Sequence, residues 1–133
     1  MWEAYGLENE DILWSCIAFI GGIGGQQMTP CGALSAAAVC LGLRHRCPIK
    51  DKPKAKQARV LIRQYSSDLV QSFAKEFGAI NCLDLIGIDF STPDGYQKFL
   101  SSGIWEQKCN KHIEFVISKL YDFEEDNRIL PLA

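Results

Sequence analysis

The sequence predicts an all-α fold: a compact bundle of five to six helices around one buried central helix at about 30–43. Three observations predict it. Apolar residues recur at spacings of three and four through most of the chain, and strand-like alternation is scarce. The stretch 33–43 is apolar with no polar face, as a helix surrounded by other helices requires. Glycine and proline fall between the periodic segments, where chain reversals belong. With 133 residues, 47% of them hydrophobic, the chain is long enough to bury a core as a single domain, with no internal repeat or low-complexity segment.

The elements follow in order. Residues 9–19 read as a helix with Ile12, Cys16 and Phe19 or Ile20 on one face. Gly21, Gly22, Gly24 and Gly25 stop it and form a flexible connection. The central helix starts near Pro30, with Thr29 placed to cap it and Cys31 in its first turn. Its small residues Gly32, Ala36 and Cys40, four apart, form a ridge that lets a neighbouring helix approach closely. Pro48 and Pro53 make residues 44–54 a loop. A long amphipathic helix over 54–77 carries the stripe Ala58, Ile62, Tyr65, Leu69, Phe73 and Phe77, and Gly78 ends it. A short helix over 82–86 closes at Gly87, and Ser91-Thr92-Pro93 caps another that ends near Gly103. The last helix, 105–123, directs Cys109, Ile113, Val116, Leu120 and Phe123 inward.

Composition narrows the function. The formal net charge is −2, so no overall field advertises a nucleic-acid or membrane partner. Eight of the 14 Lys and Arg residues lie between positions 44 and 63, whereas Glu124, Glu125 and Asp126 crowd the tail. The basic segment reads as a solvated linker and helix face, or else as a dock for an acidic partner. The start carries Glu3, Glu8, Glu10 and Asp11 and does not resemble a secretory signal, and no apolar run reaches the roughly 20 residues of a membrane span. The expectation is a soluble, cytoplasmic protein.

Several chemical readings fail on spacing. The run Gly21-Gly22-Ile23-Gly24-Gly25 does not complete a dinucleotide-binding G-x-G-x-x-G, and no Lys-Ser or Lys-Thr follows at P-loop spacing. There is no C-x-x-C, C-x-x-C-H or ferredoxin-like run. Cys109 and His112 are one helical turn apart and could face one ion, although a histidine so placed reads first as a surface residue. His45, between Arg44 and Arg46, marks a solvent loop where protonation is discouraged, and a Cys-His dyad has no support.

The six cysteines carry more. A reducing compartment leaves packing, metal ligation or redox work for persistent thiols. Cys31 and Cys82 each fall at a predicted helix N-terminus, the latter behind Asn81, where free N–H groups and the helix dipole favour a thiolate. Desolvation would work against that effect. Cys16 and Cys40 sit in apolar helical runs and read as packing, and Cys47 as an exposed thiol in a basic loop.

The same residues resemble the C_GCAxxG_C_C family of putative redox-active proteins. The likeness is carried by the glycine-rich lead-in, then Cys31-Gly32-Ala33-Leu34-Ser35-Ala36 and Leu41-Gly42-Leu43. Downstream, Cys82, Leu85, Gly87 and Asp89 match a Cys-x-x-Leu-x-Gly-x-Asp segment, and Cys109 matches the last family cysteine. Ala36 stands where the family motif has glycine, keeping the site small. The family's first cysteine lies in a helix upstream of a segment like Glu3-Ala4-Tyr5-Gly6-Leu7; that segment opens this chain, so the domain is expected to lack the N-terminal cysteine helix. Cys16 lies too close to Cys31 to be its obvious equivalent.

The resemblance implies a helical protein whose Cys31, Cys82 and Cys109 converge as catalytic thiols or metal ligands. Convergent thiolates can hold zinc or an iron–sulfur centre, or exchange through a reversible disulfide. Three are one short of a closed tetrahedral site, which His112, Cys16 or a second copy in a homodimer would complete. The redox or protein partner is not specified. The alternative is a non-enzymatic interaction module whose cysteines only pack.

Overall fold

The computed structural model describes residues 1–125, and they are all-α. Of the described residues 68% are helical, in six α-helices and shorter turns, with no strand among them. Asp126, the last of the clustered acidic residues, lies outside them.

After a single 3-10 turn at Glu3–Tyr5, the first predicted helix appears in two parts: α1, Asp11–Cys16, and a tighter 3-10 turn, Ile17–Phe19. Ile12, Cys16 and Phe19 form its half-buried face, and Ile20 is exposed. The glycines that follow are not an open connection. Residues 21–25 all have positive φ, Ile23 among them at 57°, and form a left-handed turn. Gly24 N–H donates to Ala18 O at 2.8 Å and Gln27 N–H to Gly21 O at 2.9 Å. The four glycines supply this conformation without a Cβ penalty, whereas β-branched Ile23 is strained there.

Helix α2, Gly32–Arg44, buries Leu34, Ala37 and Leu41. It is central because it packs against both α3, Lys52–Phe77, and α6, Asn110–Glu125. The close approach falls at Gly32, and the neighbour is the 3-10 turn: a Cβ on Gly32 would stand 2.7 Å from Phe19 O. Arg44 at the end of α2 donates to Phe123 O at 2.9 Å, supplying a partner to a carbonyl in the last turn of α6.

The predicted stripe of α3 is buried at Tyr65, Leu69 and Phe73, and Gly78 caps it at φ 76°. Its start differs from expectation. Asp51 is the N-cap, accepting from Lys54 N–H at 3.3 Å, and Pro53 lies inside the first turn, where its missing N–H costs nothing. Helix α4, Cys82–Ile86, and its left-handed Gly87 agree with the sequence reading. For α5, Gly95–Ser101, the residue before the helix is Asp94, not Ser91 or Thr92. Ser91 and Thr92 instead close a turn on Asp89, whose carboxylate accepts Ser91 N–H at 2.8 Å and Ser91 Oγ–H at 2.6 Å. These bonds hold the Asp89 carboxyl below its ordinary pKa.

The last predicted helix is interrupted. Trp105–Cys109 form a π turn, and regular α6 begins at Asn110. The core joins Leu34 and Leu41, Tyr65 and Phe73, Leu85, and Val116 and Leu120 from four helices.

Candidate functional site

Helix α2 begins two residues later than expected, and this places Cys31 at its very start. Cys31 is the N-cap itself, and Thr29, whose Oγ1 is buried without a hydrogen-bond partner, does not cap. The N–H groups of Ala33 and Leu34 face the Cys31 sulfur and favour its anion, short of a full cap hydrogen bond. Cys82 opens α4 behind Asn81, whose side chain makes no cap bond. The first-turn N–H of Leu83 is taken by Gln27 O at 3.2 Å.

The two helix starts are tied together. Pro30 and Asn81 form an isolated antiparallel bridge, and Cys31 N–H donates to Ile80 O at 2.7 Å. That bridge brings the start of α2, at Cys31, beside the start of α4, at Cys82. Cys109 approaches from the π turn, which is held to α4 by Lys108 Nζ donating to Leu85 O at 3.0 Å.

All three thiols line one apolar cavity of about 1360 Å³, which Cys16 and Cys40 also line. It lies between the left-handed turn, α2, α4, α5, the π turn and α6, with exposed Ile17, Ile20, Leu100 and Trp105 at its rim. Cys109 keeps its place on the predicted stripe, since Ile113, Val116 and Leu120 line the same cavity.

The electrostatics correct the sequence expectation. Burial pushes the Cys31 thiol up, against the pull of the Ala33 and Leu34 N–H groups. Burial likewise raises Cys82, with the nearby Cys31 adding to it and the Gln27 side chain opposing. Cys109 is pushed up to about 11, first by burial and then by the proximity of Cys31 and Cys82. First-turn N–H groups favour the Cys31 anion and the Gln27 amide that of Cys82, but the apolar cavity costs both more.

The thiols are close enough to feel one another's charge. Among the described residues, however, no three His, Cys, Asp or Glu side chains are gathered closely enough to hold an ion. His112, which the sequence places on a helix surface, is instead buried. It is 4% exposed and packs edge-on against Phe77 at 4.6 Å between ring centroids. His45 is not in a solvent loop: it stacks on Tyr65 at 5.4 Å with Nε2 buried. Cys47 is half-buried, not exposed.

Gln27 is the site residue that sequence reasoning missed. It is 2% exposed and bonds the left-handed turn to α4 and to the segment after it. Only a polar residue beside a glycine run hinted at it.

Comparison with known proteins places the chain. A family model described as "Putative redox-active protein (C_GCAxxG_C_C)" matches residues 1–123, and the chain belongs to that family. No curated protein and no solved structure gave a match.

Proposed function

We propose that in this member of the C_GCAxxG_C_C family Cys31 and Cys82 form a reversible dithiol–disulfide pair facing the apolar cavity, within a single domain. One observation carries the proposal: a backbone bridge at Pro30 and Asn81 ties together the helix starts that bear Cys31 and Cys82, and both residues line the cavity. Cys31 is the attacking thiol, because it is half-buried whereas Cys82 is buried. Its thiolate attacks a partner disulfide, forming a mixed disulfide and releasing one partner thiolate. The Cys82 thiolate then attacks Cys31 Sγ, closing the internal disulfide and releasing the second partner thiol. The partner disulfide gains two electrons, and the Cys31–Cys82 pair loses them. Cys109, with its higher pKa, stays protonated as a third thiol beside the pair. The donor set favours this exchange over a zinc or iron–sulfur site, since no three-donor group is gathered among the described residues.

The test is oxidation of the reduced chain by glutathione disulfide, with peptide mapping. A Cys31–Cys82 crosslink is expected, lost in both Cys31→Ser and Cys82→Ser. Because burial raises both thiols, the rate should still climb with pH above about 8.5, the ordinary cysteine value. Random pairing, or stoichiometric iron or zinc in anaerobically purified protein, would overturn the proposal. The second reading, a non-enzymatic interaction module with packing cysteines, is favoured by exposed Leu13, Trp14, Ile17 and Ile20. It expects no internal crosslink.

A further inference from the structure

Gln27 occupies a position that its residue type does not favour. Its φ is 63°, in the left-handed region that suits glycine, and it is 2% exposed. A buried amide must find partners for all its polar atoms, and the orientation of this one is determined. Phe90 N–H can only donate, so the atom 2.7 Å from it is Oε1. Ile88 O can only accept, so the atom 2.8 Å from it is Nε2. One amide hydrogen is thereby used. The other is left for the Cys82 sulfur, 3.9 Å from Nε2, at the outer limit for a hydrogen bond to sulfur. The main chain of Gln27 is engaged as well, donating to Gly21 O and accepting from Leu83 N–H. The amide is thus clamped on both sides with its remaining hydrogen aimed at one thiol.

An N–H aimed at sulfur gains most when the sulfur is an anion. We propose that Gln27 is the thiolate-stabilising residue of Cys82, holding the negative charge that this sulfur carries before it attacks Cys31 and again when it leaves. This rests on the exchange reading above. In the closing step the Cys82–Cys31 S–S bond forms as the partner thiolate departs from Cys31. In the reverse direction an incoming thiolate attacks Cys31, and the electron pair of the broken bond goes to Cys82, facing the Gln27 amide. A better-stabilised thiolate is a better leaving group, so Gln27 directs attack on the disulfide to Cys31. The other titratable groups facing this sulfur are Cys31 from α2 and Cys109 from the π turn, beside Lys108.

The test follows ionisation of each thiol by pH-dependent alkylation and peptide mapping in the full chain. In Gln27→Met, which keeps the length of the side chain and removes the amide, Cys82 should alkylate roughly three- to tenfold more slowly at a fixed pH below its pKa. Cys31 and Cys109 should be unchanged and serve as internal controls. Faster alkylation at all three cysteines would mean that Gln27 merely closes the site, and would overturn the proposal. If the variant does not fold, the wild-type chain gives the answer by nitrogen-15 NMR. One Gln27 amide proton should shift with the ionisation of Cys82, and a static signal would overturn the assignment. The two readings fail separately. A normal Cys31–Cys82 crosslink with unaltered Cys82 ionisation in the variant rejects the role of Gln27 alone. A Gln27-dependent Cys82 without any crosslink rejects the exchange alone.

Discussion

At Cys31, Cys82 and Cys109 two residue-scale effects compete. Backbone N–H groups or an amide stabilise a thiolate, and an apolar cavity removes the water that would stabilise it more. The cavity wins at all three, which is why Cys109, carrying two neighbouring thiols and little support, reaches about 11. The same competition governs the histidines. Burial, with a nearby cation, lowers the pKa of His112 and of His45, so both favour their neutral forms in the folded chain. The unfolded chain therefore binds more protons as pH falls. The contribution to stability is complete above the unfolded value of about 6.5 and is lost as pH drops through the lower folded values. Urea midpoints should fall between pH 7 and pH 5, and His112→Phe should flatten that dependence, leaving the part due to His45. The position of His112 on a helix was legible in the sequence. Its rings of contact, Phe73 and Phe77 on α3, were not, because a helix face has no sign until its neighbour is known.

Among elements, α2 shows how finely the sequence discriminates its neighbours. Gly32 and Gly42 both lie in this helix, yet a Cβ at Gly32 would press on Phe19 O at 2.7 Å, whereas one at Gly42 meets nothing within 4 Å. Gly42→Ala should stabilise the protein by about 0.5–1 kcal/mol through helix propensity. Gly32→Ala should destabilise it by about 1–3 kcal/mol through overpacking, because a backbone oxygen cannot turn aside. Opposite shifts of the urea midpoint would bear this out, and stabilisation by both would refute the close crossing. The boundaries of α2, α3 and α4 were legible to within two residues, since proline, glycine and apolar spacing are local signals. The π turn before α6 and the left-handed turn before α2 were not legible. Each is held by distant partners: Lys108 to α4 in one case, Gln27 to residues 83–90 in the other.

In the molecule as a whole, the core lies along the seam of α2, α3 and α6, and the cavity with the cysteines opens beside it. Leu41, fully buried in that seam, should cost about 2–5 kcal/mol when replaced by Ala. Leu100, at the cavity rim and 57% exposed, should cost less than about 0.5 kcal/mol. Thermal or urea unfolding of the two variants measures both, and equal losses would mean that the cavity side is as tightly packed as the seam. No helix among the described residues is long and apolar enough to cross a membrane.

The sequence by itself determined the helical class, the central place of α2, the buried stripe of α3 and the family, because periodicity, punctuation and motif spacing are properties of the chain read in order. Only the tertiary structure decided what surrounds each cysteine. The thiol pKa, the Gln27 amide at Cys82 and the burial of His112 depend on which groups from distant segments replace water, and that is set by packing.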